Sequence, residues 1–265
     1  MARPRSRFAA RARARPPARR ARRAGSVQFP AGPSLSYRKA VRGLVRSVLA
    51  AVERVVEPAL QQFAYQPPEE RQDASDVEIF SRLRAAAKPS PGRLRKVTTD
   101  AASRIDRHVE VEIQRIGIPI ESVPGIAAKL ASWRKQNTQL INSLLGGQVQ
   151  KIERLLAENQ NRRVEALREQ IQEVFQVTES KADLLARDQT LTLNSQIVEA
   201  RQTAAGIEEF IWVTSGDERT RASHEELDGE RFRWDDPPEV DGELATPGRP
   251  INCRCTAYPI LPETE

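Results

Sequence analysis

Apolar residues recur along most of this chain at three- and four-residue steps, the spacing that lines one buried face of a helix. Val41, Leu44, Val45, Val48, Leu49, Val52, Val55 and Val56 predict one amphipathic helix, capped by Ser36 and ended near Pro58. A short helix is expected from about Asp76 to Ala87. Another follows from Leu94 to Gly117, where Val97, Ala101, Ile105, Val109 and Ile113 share a face and Gly117 ahead of Ile118-Pro119 supplies the stop. The next should begin near Pro124 and run to Leu145, with Gly146-Gly147 breaking or bending it before Gln148 to Ala157 continues. After an Asn-rich joint comes Val164 to Phe175. Thr178 should then open a long helix to Ala204, with Ala182, Leu185, Ala186, Leu193, Ile197 and Ala200 inward and Gly206 as its end.

Past Gly206 the period shortens to two. Phe210, Trp212 and Thr214 alternate with Ile211 and Val213 as in a strand, and β character returns at Thr256 to Ile260. Turn formers lie between: Ser215-Gly216-Asp217, Asp228-Gly229, Asp235 to Pro238, Asp241-Gly242 and Pro247-Gly248. The fold class is therefore α+β, a predominantly helical N-terminal and central region carrying a small α+β C-terminal module. The expected organisation is a disordered Arg-rich arm and linker over 1–34, a helical region over 35–119 and a domain over 120–265 whose C-terminal module is 207–265.

Charge changes this picture at one end. Of 42 Lys and Arg, ten fall in residues 1–25, which hold no acid, leaving 32 in the remainder against 36 Asp and Glu. The body is slightly acidic and the basicity is a tail. An Arg/Ala/Pro tract cannot bury enough surface to offset the entropy of ordering. Arg11, Arg13, Arg15, Arg19, Arg20, Arg22 and Arg23 would neutralise phosphates and attach to DNA without sequence preference, the other readings being a solubilising extension, an acidic protein partner or an amphipathic presequence. No apolar run has the length of a membrane span, and the tail lacks the apolar region of a secretory signal, so a soluble protein is expected. Aromatic residues make up 5% and charged residues 29% of the chain, which favours elongated helices over a compact enzyme.

Chemistry concentrates in the last quarter. It gathers His224, one of two histidines, and both cysteines, Cys253 and Cys255, beside an Asp/Arg cluster. A C-x-C pair is a poor disulfide, because so small a ring is strained, and a reducing compartment fits. In extended backbone the two sulfurs point the same way, so with His224 and Asp217 brought across they would supply three or four ligands to a structural zinc ion. The alternative is a pair of small buried hydrophobes beside a tight turn, with His224 bonded to a backbone carbonyl or to Asp228. Asp217, Arg219, Arg221, Asp228 and Arg254 read either as a phosphate or carboxylate grip or as an internal salt-bridge cluster that sets the loop path; the second is favoured. A thiol hydrolase using Cys253 or Cys255 with His224 as base lacks a recognisable oxyanion turn or third orienting residue. His108, the other histidine, is read as a surface or packing residue.

The order Trp212, Asp217, Arg219, Thr220, Arg221, His224, Leu227, Asp228, Gly229, then Pro247, Gly248, Asn252, Cys253, Arg254, Cys255, resembles the C-terminal signature of the phage head morphogenesis family typified by the F protein of phage Mu. Ahead of it, Ala186, Arg187, Asp188, Gln189 and Thr190 are similar to the family's helix motif. The resemblance covers roughly residues 120–260 and not the arginine arm. It implies a minor structural protein of a tailed-phage, prophage or gene-transfer-agent head, acting in head morphogenesis near the portal protein and other head proteins, in contact with packaged double-stranded DNA. It implies no catalytic activity, no membrane, and location in the virion after assembly in the host cytoplasm. A metal- or thiol-dependent enzyme built on His224, Cys253 and Cys255 is the competing class, and a plain DNA-binding protein driven by the arm is a third.

Overall fold

The structure, a computed structural model, describes residues 25–65, 73–119, 123–158 and 164–262. The arm arginines Arg11 to Arg23 and the Asn-rich joint lie outside them. Five helices come first: α1 (Ala31–Tyr65), α2 (Asp73–Ala86), α3 (Pro91–Arg115), α4 (Ile126–Glu158) and α5 (Val164–Ala204). The remainder is β1 (Glu209–Val213), α6 (Ala222–Glu225), β2 (Arg231–Arg233), β3 (Glu239–Val240), β4 (Glu243–Leu244) and β5 (Thr256–Ile260).

Three predicted breaks are absent, and α1 starts earlier than expected. Residues 31–34, read as linker, form the first turn of α1, and the helix passes straight through Pro58. Proline lacks an N–H and crowds the carbonyl four residues back, yet Val56, Ala59 and Leu60 on either side are buried, so packing holds the turn together. Gly146-Gly147 lies inside an unbroken α4, between buried Leu145 and buried Val149. Glycine costs about 1 kcal/mol against alanine in a helix interior, whereas each fully buried Leu or Ile contributes roughly 1.5–3 kcal/mol. Thr178 is interior to α5, where its hydroxyl donates to the Val174 carbonyl at 2.6 Å, so nothing remains for it to cap. The two glycine stops do hold. Gly117 (φ +80) and Gly206 (φ +76) each turn the chain in the left-handed region. Behind them the Ile118 amide bonds Ile113 O and the Ile207 amide bonds Gln202 O, with both isoleucines buried.

Helix α5 packs against α1, α3 and α4, while α3 also touches α1 and α4, giving one bundle with a continuous core. Helices α1 to α3 and helices α4 and α5 thus share a single interior. At its centre Tyr37 of α1 stacks at 5.4 Å on Trp133 of α4 and donates a 2.8 Å hydrogen bond to Asn137 Oδ1. The Asn137 amide in turn donates to Trp133 O and to Gln189 Oε1 of α5, each at 3.0 Å, and the Trp133 indole donates to Gln189 O at 3.0 Å. Three helices are keyed in register by this one buried polar knot. On the surface Asp183 of α5 accepts from both Arg38 and Arg42 of α1, each with a 2.6 Å contact, and the two guanidiniums hold its carboxyl below the ordinary range.

A three-stranded sheet has β1 at its centre, antiparallel to β2 on one side and β5 on the other, with β3 and β4 a separate hairpin. Residues 26–28, expected in the linker region, are packed between sheet and bundle. Ser26 meets Thr256 of β5 at 3.0 Å, Arg115 of α3 donates to Ser26 O, and His108 of α3 bonds Gln28 O at 2.9 Å.

Two outcomes follow. Asn137→Ala, which strands the buried Tyr37 hydroxyl, should lower urea-unfolding stability by about 1–3 kcal/mol. For Asp183, a depressed folded-state pKa means its contribution is complete above the unfolded value of about 3.9 and is lost as pH falls through the lower folded value. Asp183→Asn should therefore melt earlier than the wild type at neutral pH, with the gap closing as the scan is repeated at successively acid pH.

Candidate metal centre and the loops that frame it

Helix α5 builds the floor of the C-terminal module. Ser195 donates to Pro247 O at 2.7 Å and meets Thr246 at 3.3 Å, pinning the loop before Gly248. Gly248 itself has φ +88, and a Cβ there would meet Ser195 Cβ at 3.4 Å, so both backbone geometry and close approach favour glycine. Two turns earlier in α5, Asp188 accepts the Asn252 amide at 3.2 Å and Arg187 donates to Asn252 Oδ1. Asn252 is left-handed, φ +60, a conformation that asparagine tolerates better than most residues. These contacts aim the following extended residues, Cys253 to Cys255, inward.

The other half of the centre comes from the segment after β1. Asp217 caps its own turn, accepting the Arg219 amide at 3.2 Å, and is gripped by both terminal nitrogens of Arg254 at 2.7 Å each. That pairing occupies the carboxylate that was expected to join a zinc site, and Asp217 takes no place beside the sulfurs. Asp228 is likewise committed elsewhere, accepting the Thr214 amide at 2.8 Å and its hydroxyl at 3.0 Å. Gly229 (φ +89) then returns its amide to Trp212 O. Between these two anchors the single turn of α6 presents His224, 2% exposed, with its ring edge-on to the wholly buried Trp212 at 5.8 Å.

His224 Nδ1 lies 3.5 Å from Cys253 Sγ and 3.4 Å from Cys255 Sγ, and the three donor atoms all fall within 4.8 Å of one another. Neither a backbone carbonyl nor Asp228 takes the ring, as the metal-free alternative had it. The far nitrogen, Nε2, faces Asp241 Oδ2 at 3.7 Å and Arg221 at 3.5 Å. Asp241 was not singled out as a site residue. It reaches the ring because Asp241-Gly242, with φ of +54 and +92, is the two-residue turn of the β3–β4 hairpin, and the Asp-Gly dipeptide was the signal for that turn. Ser223 fixes its carboxylate with a 2.8 Å donation.

The sulfurs are unequal. The neighbouring Cys255 thiol, then His224, bring the Cys253 pKa down to about 5 despite burial, helped by the Gly248 and Cys255 amides that its sulfur accepts at 3.4 Å each. Cys255, beside that sulfur and buried, is pushed up. His224 is raised, chiefly by its bond to Cys253. Above the three donors opens a pocket of about 430 Å³ whose walls include Arg187, Arg219, Arg221 and Arg254. Arg221 is spent on the Ile251 carbonyl and Asp241, and Arg254 on Asp217, which is the internal salt-bridge cluster expected of them. Arg219 is exposed, and its guanidinium meets no partner among the described residues.

Residues 150–258 match the family described as Phage Mu protein F like protein. An uncharacterised protein of Haemophilus influenzae is 28% identical over 258 residues, spanning 93% of this chain but 57% of its own length. No solved structure matches. No helix among the described residues is long and apolar enough to cross a membrane.

Removing Asp228 tests how far the loop path depends on its carboxylate. Asp228→Ala removes the carboxylate that accepts from the Thr214 amide and hydroxyl and should cost about 1–3 kcal/mol in urea unfolding.

Proposed function

We propose that this chain, whose residues 150–258 form a Phage Mu protein F-like region, is a minor protein of a tailed-phage or prophage head, acting in head morphogenesis beside the portal and contacting packaged DNA through its N-terminal arm. The observation that carries the reading is where the matched residues fall. They take in the end of α4, all of α5 and the module that α5 holds through Asp188, Arg187 and Ser195. A long helical stalk with a small, polar-braced head is suited to docking on other proteins. Nothing in this role needs turnover; the module presents a fixed surface. Localisation in the head interior or at the portal vertex follows from the same reading, as does assembly in the host cytoplasm.

A second reading, a metal- or thiol-dependent enzyme, draws on the pocket above His224, Cys253 and Cys255. It requires a substrate whose conversion stops when Cys253 is replaced in a protein that still folds.

Quantitative mass spectrometry of particles from an induced host separates the two. A few copies per particle, with label confined to one vertex, supports the head role; absence from particles sinks it. The arm has its own readout. The full chain should bind duplex DNA with a steep log–log dependence on salt, since each neutralised phosphate adds about 0.9 to the slope. A variant lacking residues 1–24 should bind at least roughly tenfold more weakly at low salt, with most of that slope gone.

A further inference from the structure

We propose that His224 Nδ1 and the thiolates of Cys253 and Cys255 hold one Zn²⁺ ion, whose fourth coordination position opens into the arginine-walled pocket and takes an oxyanion. Four independent features converge on this. First, the spacing fits. Zinc–sulfur bonds of about 2.3 Å and zinc–nitrogen bonds of about 2.0–2.1 Å at tetrahedral angles place N and S about 3.5 Å apart, and the observed separations are 3.5 and 3.4 Å. Second, the donors suit the metal: two thiolates and an imidazole, with no carboxylate, are the set that selects zinc over calcium or magnesium.

Third, the groups behind the donors are those a metal site requires. A ligating histidine turns its other ring nitrogen to a carboxylate, which fixes the tautomer, and His224 Nε2 faces Asp241, itself held by Ser223 and by a left-handed turn. Cys253 Sγ accepts two backbone amides, which tether the sulfur in place. Fourth, His224, Cys253 and Cys255 all line the pocket, so an ion held by them would have open space beside it for a further ligand. Three protein ligands with an open fourth position is the arrangement in which zinc keeps an exchangeable oxygen ligand. Arg219 supplies positive charge at that mouth with no internal partner to satisfy, so an oxyanion is favoured there over a neutral donor.

The test is independent of where the protein sits in a particle. Full-length protein purified without chelator should carry about one equivalent of zinc per chain. Asp241→Asn keeps a residue that tolerates the left-handed turn and should weaken zinc affinity by about 10–100-fold, with the far-ultraviolet circular dichroism of the wild type. Exchange with Co²⁺ should produce a thiolate-to-metal charge-transfer band, weakened in Cys253→Ser and absent when both Cys253 and Cys255 are replaced by serine. Titration with inorganic phosphate should shift the cobalt visible bands, with acetate as the comparison that separates phosphate from carboxylate preference. Arg219→Ala should keep the metal and weaken the phosphate response several-fold. A folded wild-type chain that retains no zinc and gives no charge-transfer band overturns the site; cobalt bands indifferent to both anions overturn the open position.

Discussion

The grip of helix α5 on Asn252 is the contact on which the C-terminal half depends. Asp188 takes the Asn252 amide and Arg187 takes its side chain, both from one turn of a helix whose other faces are buried in the bundle. This grip adds to the contacts that Ser195 makes with Thr246 and Pro247 and that Ser26 makes with Thr256. With Asn252 fixed, Cys253 and Cys255 can only face inward, and β5 starts in register with β1 directly afterwards. Thr190, two residues on, is fully buried, and Gln189 between them is the acceptor for Trp133 and Asn137. One short run of α5 thus joins the bundle's polar knot to the cysteine loop, and mechanical load on either is transmitted to the other without a flexible joint.

A module of about sixty residues has little apolar interior with which to hold its shape. Phe210, Trp212 and Trp234 supply most of it, with Phe210 and Trp234 rings 4.3 Å apart. The loops are held by polar contacts instead: Asp217 with Arg254, Asp228 with Thr214, Arg221 with the Ile251 carbonyl. Exposed ion pairs stabilise little, so their effect is to choose one loop path among several, while the buried amide-to-carboxylate bond at Thr214 contributes more to stability.

Helix identity was legible in the sequence because the three- and four-residue apolar spacing survives over whole elements; the boundaries were less so. Pro58, Gly146-Gly147 and Thr178 are local signals against a continuous helix, and each was outweighed by buried neighbours that a reading of breakers does not count: Leu60, Leu145 and Val149, Phe175 and Ala182. Gly117 and Gly206 stopped their helices because the following isoleucine had a core to enter. At the site, the convergence of His224, Cys253 and Cys255 could be anticipated from their rarity and the period of extended chain. Asp217 was misplaced because a carboxylate beside arginines and a carboxylate near a histidine look alike until Arg254 is seen to claim it. Asp241 was hidden for a different reason. Its role arises from a hairpin that swings it back across the histidine, a long-range placement that spacing does not encode.

The unequal sulfurs make one further physical point. A buried thiolate is costly unless cations or donors surround it. Cys253 Sγ has two backbone amides at 3.4 Å and His224 Nδ1 at 3.5 Å around it, while burial beside that sulfur pushes Cys255 up. Charge on one sulfur therefore disfavours charge on the other. Pairing the sulfurs as a disulfide would relieve this, but one intervening residue closes too tight a ring, and the Asn252 clamp holds the backbone extended. A divalent cation resolves the conflict directly, since it lets both sulfurs ionise while His224 stays neutral. The residues around them already sit where such a cation would need them, with the outward side left to the arginine-walled pocket.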